Sequence, residues 1–365
     1  MTEGQNLIRG ISADYSNARG RIQFIDAAKG VAILAVIVGH SSIRLSGISR
    51  GASLITALCF TFHMPLFFFL SGYFLHCDRA FNFRKEFKRL VVPYILTAIV
   101  IVLLACLTTE IFGDYPLDMT KQNFALGWIN AALYGSANIT GKELWQQQFR
   151  IGAVWFLLAL FWARLVVTSA YKLRHPGIAV ACWAITGVIS ARYIWLPLSI
   201  QAGLSAAIYV YLGTIARRHD FIESRMNSVA CLISTLLVWL YAIVNFNGFG
   251  MGLADFGAMP IDIVRNVVGS LAGMYVVIYV SKIMCKHFQH FSRLLEKVGR
   301  LSLLVLAVHI IDDDVTRIDA INQMLLGAGL GAFWIVTTES IVRCVYTVCI
   351  AFCLDRLRVV RSIFS

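Results

Sequence analysis

The sequence predicts an all-α integral membrane protein, a bundle of about ten transmembrane helices with both termini cytoplasmic. Three observations lead there. Hydrophobic residues make up 58% of the 365 and charged residues only 14%. A soluble chain carries about 25% charged residues, so this one lacks the polar surface to face water all round. The apolar residues also fall in long blocks: 51–75, 91–109 and 227–250 contain no Asp, Glu, Lys or Arg. As helices, such blocks are long enough to cross a hydrocarbon core of about 30 Å. The third observation is the placement of the basic residues.

Ten spans are expected, at roughly 27–45, 52–75, 91–112, 151–171, 177–191, 196–216, 227–246, 263–283, 299–311 and 332–353. With the N-terminus inside, 21 of the 32 Lys and Arg residues fall on inner segments and 7 on outer ones, the remaining 4 lying within spans. Such an excess fixes orientation by the positive-inside rule. It also accounts for the net charge of +12 without nucleic acid. The first 23 residues are polar and carry Arg9, Arg19 and Arg21, so no cleavable leader is expected and the first span serves as an anchor. The organisation is then a cytoplasmic segment 1–24, a membrane domain 25–355 and a cytoplasmic tail 356–365. No internal repeat is visible. The nine cysteines form no CxxC pair, and most lie inside apolar runs as small buried hydrophobes.

Ionisable groups inside spans are costly and mark function. In the first span, Asp26 and Lys29 lie three residues apart on one helix face, where Asp26 pairs with Lys29 or caps the helix. His40 follows Lys29 by 11 residues, about 16 Å of rise and close to three full turns. A cation at the entrance and an imidazole deep on the same face suit an acyl-CoA, with phosphates at the membrane surface and a thioester reaching inward. In the second span, His63 precedes Pro65, which removes a backbone donor and kinks the helix. His63 is a second catalytic or acceptor-binding group, or a packing residue. Ser71-Gly72 reads as close helix packing.

The basic connection that follows contains Lys85, Lys88 and Arg89, which hold CoA phosphates, meet anionic lipid, or simply obey the positive-inside bias. The long outer connection 113–150 is rich in aromatics, Trp128 and Trp145 among them. These suit sugar rings, or anchor an interfacial helix. The ninth span is short; His309 closes it and Asp312-Asp313-Asp314 follows. No further ligand set accompanies these carboxylates, so a polar cluster at the outer mouth is expected rather than a metal. Glu339 and Arg343 form an i,i+4 pair in the last span.

These residues resemble the acyltransferase-3 family of membrane-bound acyltransferases. The resemblance rests on five blocks in order: Asp26-Ala27-Ala28-Lys29-Gly30 followed by His40; Phe67-Phe68-Phe69-Leu70-Ser71-Gly72-Tyr73; Arg89-Leu90-Val91-Val92-Pro93-Tyr94; Trp155-Phe156-Leu157-Leu158-Ala159-Leu160-Phe161; and Val298-Gly299-Arg300-Leu301-Ser302-Leu303 ending at His309. His63-Met64-Pro65 is similar to the fucose 4-O-acetylase-like branch. Many members carry Arg where this chain has Lys29, and Lys cannot make a bidentate fork to a phosphate. Some members carry a C-terminal esterase-like domain, which is not seen here.

The resemblance implies transfer of an acetyl or other short acyl group from cytoplasmic acyl-CoA to a hydroxyl of an envelope glycan or its lipid-linked precursor, in a bacterial cytoplasmic membrane. His40 is then the general base, with His63 beside it. Lys29, Lys85, Lys88 and Arg89 hold the donor; Trp128, Trp145, Trp155 and His309 hold the acceptor; no metal takes part. Direct transfer and a transient acyl-imidazole are both open. The rival reading, a transporter or flippase of a lipid-linked sugar, predicts internal repeats with paired broken helices.

Overall fold

The computed structural model describes residues 22–113, 115–116, 119–222 and 229–364, so the expected segment 1–24 falls almost wholly outside the described residues. Among them the chain is helical, with no β-strand.

Helix α1 (Gln23–Ile43) opens the bundle. The next expected span is two helices, α2 (Arg50–Phe60) and α3 (His63–Tyr73), parted by Thr61 and Phe62. Pro65 explains the break: it has no N–H to give the Thr61 carbonyl, and it is tolerated in the first turn of α3, where that donor has no partner anyway. Thr61 is held instead through its hydroxyl, which donates to the Leu58 carbonyl and accepts from Trp239 Nε1 at 2.9 Å.

The basic connection forms the short α4 (Phe83–Glu86), which runs through a π-helical turn, Phe87–Val91, into α5 (Val92–Phe112). In the long connection, α6 (Lys121–Tyr134) starts at Thr120, whose hydroxyl accepts from the Asn123 N–H, and stops at Gly135 in the left-handed region. Then follow α7 (Trp155–Ala170), α8 (Pro176–Ser190), α9 (Ile200–Arg218), α10 (Val229–Val244), α11 (Pro260–His287), α12 (Gln289–Arg300), α13 (Ser302–Val315), α14 (Ile318–Gly327), α15 (Ala332–Leu354) and α16 (Arg358–Phe364).

Among the described residues six stretches are long and apolar enough to cross a membrane: Gln23–Ile43, Arg50–Tyr73, Phe83–Phe112, Gly152–Ala170, Pro260–His287 and Ala332–Leu354. The other four expected spans fall on α8, α9, α10 and α13. Helices α8 and α10 have 15 and 16 residues, and α13 has 14, about 21 Å. Helix α9 reaches 19 residues, but Gln201, Ser205 and Thr214 dilute its apolar character.

Two crossings organise the bundle. Helix α12 packs across the first turns of α1, and a Cβ at Gly299 would sit on the Asp26 carbonyl oxygen. Helix α3 packs on α9 in the same manner, with Gly72 against the Val210 carbonyl. Only glycine allows backbones this close. Around α1 stand α2, α3, α11, α12, α13 and α15; around α9 stand α3, α7 and α8. Helix α3 therefore belongs to both groups.

A buried ion pair ties the second group to the basic connection. Arg164 on α7 donates Nε and Nη2 to the two Glu86 oxygens at 2.9 Å each, and Nη1 to the Ser71 hydroxyl at 2.8 Å and carbonyl at 3.1 Å. The fork geometry satisfies the guanidinium that lipid would leave bare. Ser71 thus has a bonding role beyond the packing expected of it.

Candidate functional site

Two imidazoles meet where α1 contacts α13, and a third, on α3, lies against the same Phe60 ring as the first. His40 lies in the last turn of α1, His63 opens α3, and His309 sits in the middle of α13. His40 Nδ1 is 2.9 Å from His309 Nε2, with ring centroids 5.1 Å apart. His63 Nδ1 donates at 2.6 Å to the Cys59 carbonyl, near the end of α2; that carbonyl also accepts from the Phe62 N–H at 3.3 Å. A carbonyl only accepts, so Nδ1 carries the proton and Nε2 keeps its lone pair. His63 and His309 are buried, and among the described residues His309 Nδ1 has no hydrogen-bond partner.

Beyond the imidazoles lies a network of ion pairs. Arg343 donates to Asp312 at 2.7 Å, to Asp313 at 2.9 Å and to its expected partner Glu339 at 3.1 Å. Arg44 bridges Asp313 at 3.0 Å and Asp319 at 2.8 Å. Arg150, at the end of the long connection, reaches Asp314 at 3.6 Å. The polar cluster expected from the triple Asp is thus present. Spacing explains its place: Arg44 follows His40 by four residues and Asp313 follows His309 by four, so each charge stands one turn beyond its imidazole.

His40, His309 and Asp313 offer donor atoms within 4.8 Å of one another, a set with the chemistry of a divalent-metal site. The same carboxylate already faces the Arg44 and Arg343 guanidiniums, whose charge opposes a further cation.

On the other side of the imidazoles a cavity of about 410 Å³ opens at the end of the bundle where α1 begins. Its mouth carries Lys29, Arg89 and Arg300, with the buried Arg164 in its wall; its depth is lined by Ile33, Val36, Met64, Phe67 and Leu306. Lys29 pairs with Asp26 at 3.3 Å, as the spacing suggested, and its ammonium stands 5.3 Å from the Phe74 ring centroid. Arg89 lies on the π-helical turn, a distortion that recurs at functional sites and that here brings this side chain to the cavity. Lys85 and Lys88 are exposed and do not line it. Arg164 and Arg300 do; the first was visible as a charge inside a span, the second as part of the last sequence block.

The aromatic residues are scattered. Trp128 is buried with its face stacked on Phe149, centroids 4.9 Å apart and planes at 11°. Trp145 is exposed and meets the Tyr134 ring edge-on. Trp155 is buried among Phe68 and Phe156, its indole against Gly252. Of the four residues expected to hold an acceptor, only His309 stands at the imidazole centre.

The family model described as an acyltransferase domain, that of acyltransferase-3, matches residues 22–356. No curated protein and no solved structure matches the chain.

Proposed function

The chain belongs to the acyltransferase-3 family, and from that premise we propose that it moves an acetyl or other short acyl group from acyl-CoA to a hydroxyl of an envelope glycan or its lipid-linked precursor. Membrane acyl transfer to a hydroxyl follows from the family; the donor and the acceptor are the proposal. One observation carries it. The inner end of the cavity touches Val36, Met64 and Leu306, which precede His40 by four residues, follow His63 by one, and precede His309 by three. A molecule filling the cavity therefore ends within about one helical turn of all three imidazoles along their helices.

Acyl-CoA suits that shape. Lys29, Arg89 and Arg300 surround the mouth, where its phosphates would rest, and the apolar depth accepts the extended arm that ends in the thioester. The rise from Lys29 to His40, about 16 Å, is comparable to the length of that arm. Arg164, already committed to Glu86 and Ser71, shapes the wall.

His40 acts as general base. It takes the proton of the acceptor hydroxyl as the oxygen attacks the thioester carbonyl; the C–O bond forms, the C–S bond breaks, and the proton passes to the departing thiolate. His309 holds the His40 ring in place, and the Asp313 carboxylate stabilises the imidazolium while it exists. His63, with Nε2 unprotonated, orients the acceptor. Trp128, Trp145 and Trp155 serve the acceptor at most indirectly, as support for the wall formed by the long connection.

In this reading the four shorter or more polar helices also cross, giving ten spans with both ends of the membrane domain in the cytoplasm of a bacterial cell. The fucose 4-O-acetylase-like branch rests on His63-Met64-Pro65 alone. Purified protein given acetyl-CoA and glycan should release free CoA thiol in proportion to ester formed. A transporter would leave the thioester intact, and that result would overturn the proposal.

A further inference from the structure

Phe364 is the residue that the C-terminal helix adds to the cavity wall. It lies at the end of α16, a seven-residue helix. Val360 and Phe364, one turn apart, pack against the core, and α16 touches α5 and the π-helical turn that carries Arg89. The Phe364 ring thereby joins Lys29, Arg89 and Arg300 in lining one cavity.

The other aromatic ring among the basic residues is Phe74, and the Lys29 ammonium already faces it. Among the described residues no aromatic ring stacks on Phe364. The mouth thus combines guanidinium and ammonium groups with an aromatic face that no neighbouring ring covers. This is the combination that binds a nucleotide: cations for phosphates and a π-surface for the base. If the arm fills the depth, the nucleotide must rest at the mouth.

From this juxtaposition we infer that Phe364 is the stacking surface for the adenine of the donor, and that α16 is part of the donor site. The inference rests on the acyl-CoA reading above and names a subsite that no residue there supplies. It sets donor specificity: coenzyme A is preferred over its own arm, 4′-phosphopantetheine, because only the former has a base to stack.

Binding to the full-length protein in detergent tests this without an acceptor. The probes are coenzyme A and 4′-phosphopantetheine, measured on wild type, Phe364→Ala and Phe364→Trp. Loss of a stacked base corresponds to roughly a tenfold weaker Kd. Phe364→Ala should therefore bind coenzyme A about tenfold more weakly and 4′-phosphopantetheine as wild type does, while Phe364→Trp keeps the preference. The unchanged affinity for the arm shows in the same preparation that the variant is folded. Equal weakening for both probes would make Phe364 a packing residue and overturn the inference, as would no change for either. If wild type binds neither probe, the acyl-CoA reading itself fails, and the inference with it.

Discussion

His40 Nδ1 and His309 Nε2 face each other at 2.9 Å across 269 residues of sequence. One of the two nitrogens must donate and the other accept, so the two rings fix each other's tautomer. If Nδ1 of His40 donates, its Nε2 is the nitrogen left to act as a base. His309 is then a positioning residue, and its loss should lower the rate without altering donor affinity. His309→Ala should reduce kcat about 10–100-fold with KM for acetyl-CoA unchanged, and His309→Gln should recover part of the loss by supplying a hydrogen bond. An equal rise in KM would move His309 to the donor site.

The donor residues divide by position. Lys29 lines the cavity, whereas Lys85 and Lys88 are exposed and do not line it. Lys29→Ala should weaken acyl-CoA binding, and Lys29→Arg should retain part of it because the charge persists while the geometry changes. Lys85→Ala and Lys88→Ala should each leave donor binding near wild type. Titration of acetyl-CoA against the four variants checks this; weak binding only in the Lys85 and Lys88 variants would move the phosphates out of the cavity.

The Arg164–Glu86 pair makes a stability prediction. Both side chains are buried, so removing one strands a charge. Arg164→Met should cost about 3–5 kcal/mol, and Arg164→Met combined with Glu86→Leu should recover much of it, since a buried pair is often replaceable by apolar groups. Thermal unfolding of detergent-solubilised protein reads both. If the double variant is no more stable than Arg164→Met, the Ser71 contacts rather than the pair carry the effect.

Topology is testable from the basic asymmetry. A cysteine placed at Thr140 should react with an impermeant reagent applied to intact cells, and one placed at Glu86 should not. The opposite pattern would invert the bundle.

These experiments concern a site that was only half legible in the sequence. Lys29 and His40 share one helix, so their alignment followed from helical periodicity alone. The same rule places Arg44 one turn past His40 and Asp313 one turn past His309, but taken singly each reads as a charge at a helix boundary. That His309 meets His40 could not be read from either helix; it depends on α12 crossing α1 at Gly299 and so setting where α13 starts. The break between α2 and α3 was foreshadowed by Pro65 as a kink, but not that His63 would open the second helix and bond back to Cys59. The all-helical class came from composition. Among the described residues six helices meet the length and apolarity of a span unaided, while α8, α10 and α13 are short and α9 is polar; the shortness of the ninth span, on α13, was already visible in the sequence. Phe364 carried no signal, because a short basic segment with one aromatic has no period to mark it.

The central claim is that His40 removes the acceptor proton, and its most direct measurement is the acyl-transfer rate of His40→Gln beside His40→Ala, each at saturating acetyl-CoA and equal amounts of folded protein. Glutamine keeps approximate size and hydrogen bonding but cannot take the proton. Both variants should bind acetyl-CoA as wild type does and transfer roughly 10²–10⁴-fold more slowly. Transfer by His40→Gln at near wild-type rate would make His40 a structural residue and contradict the account.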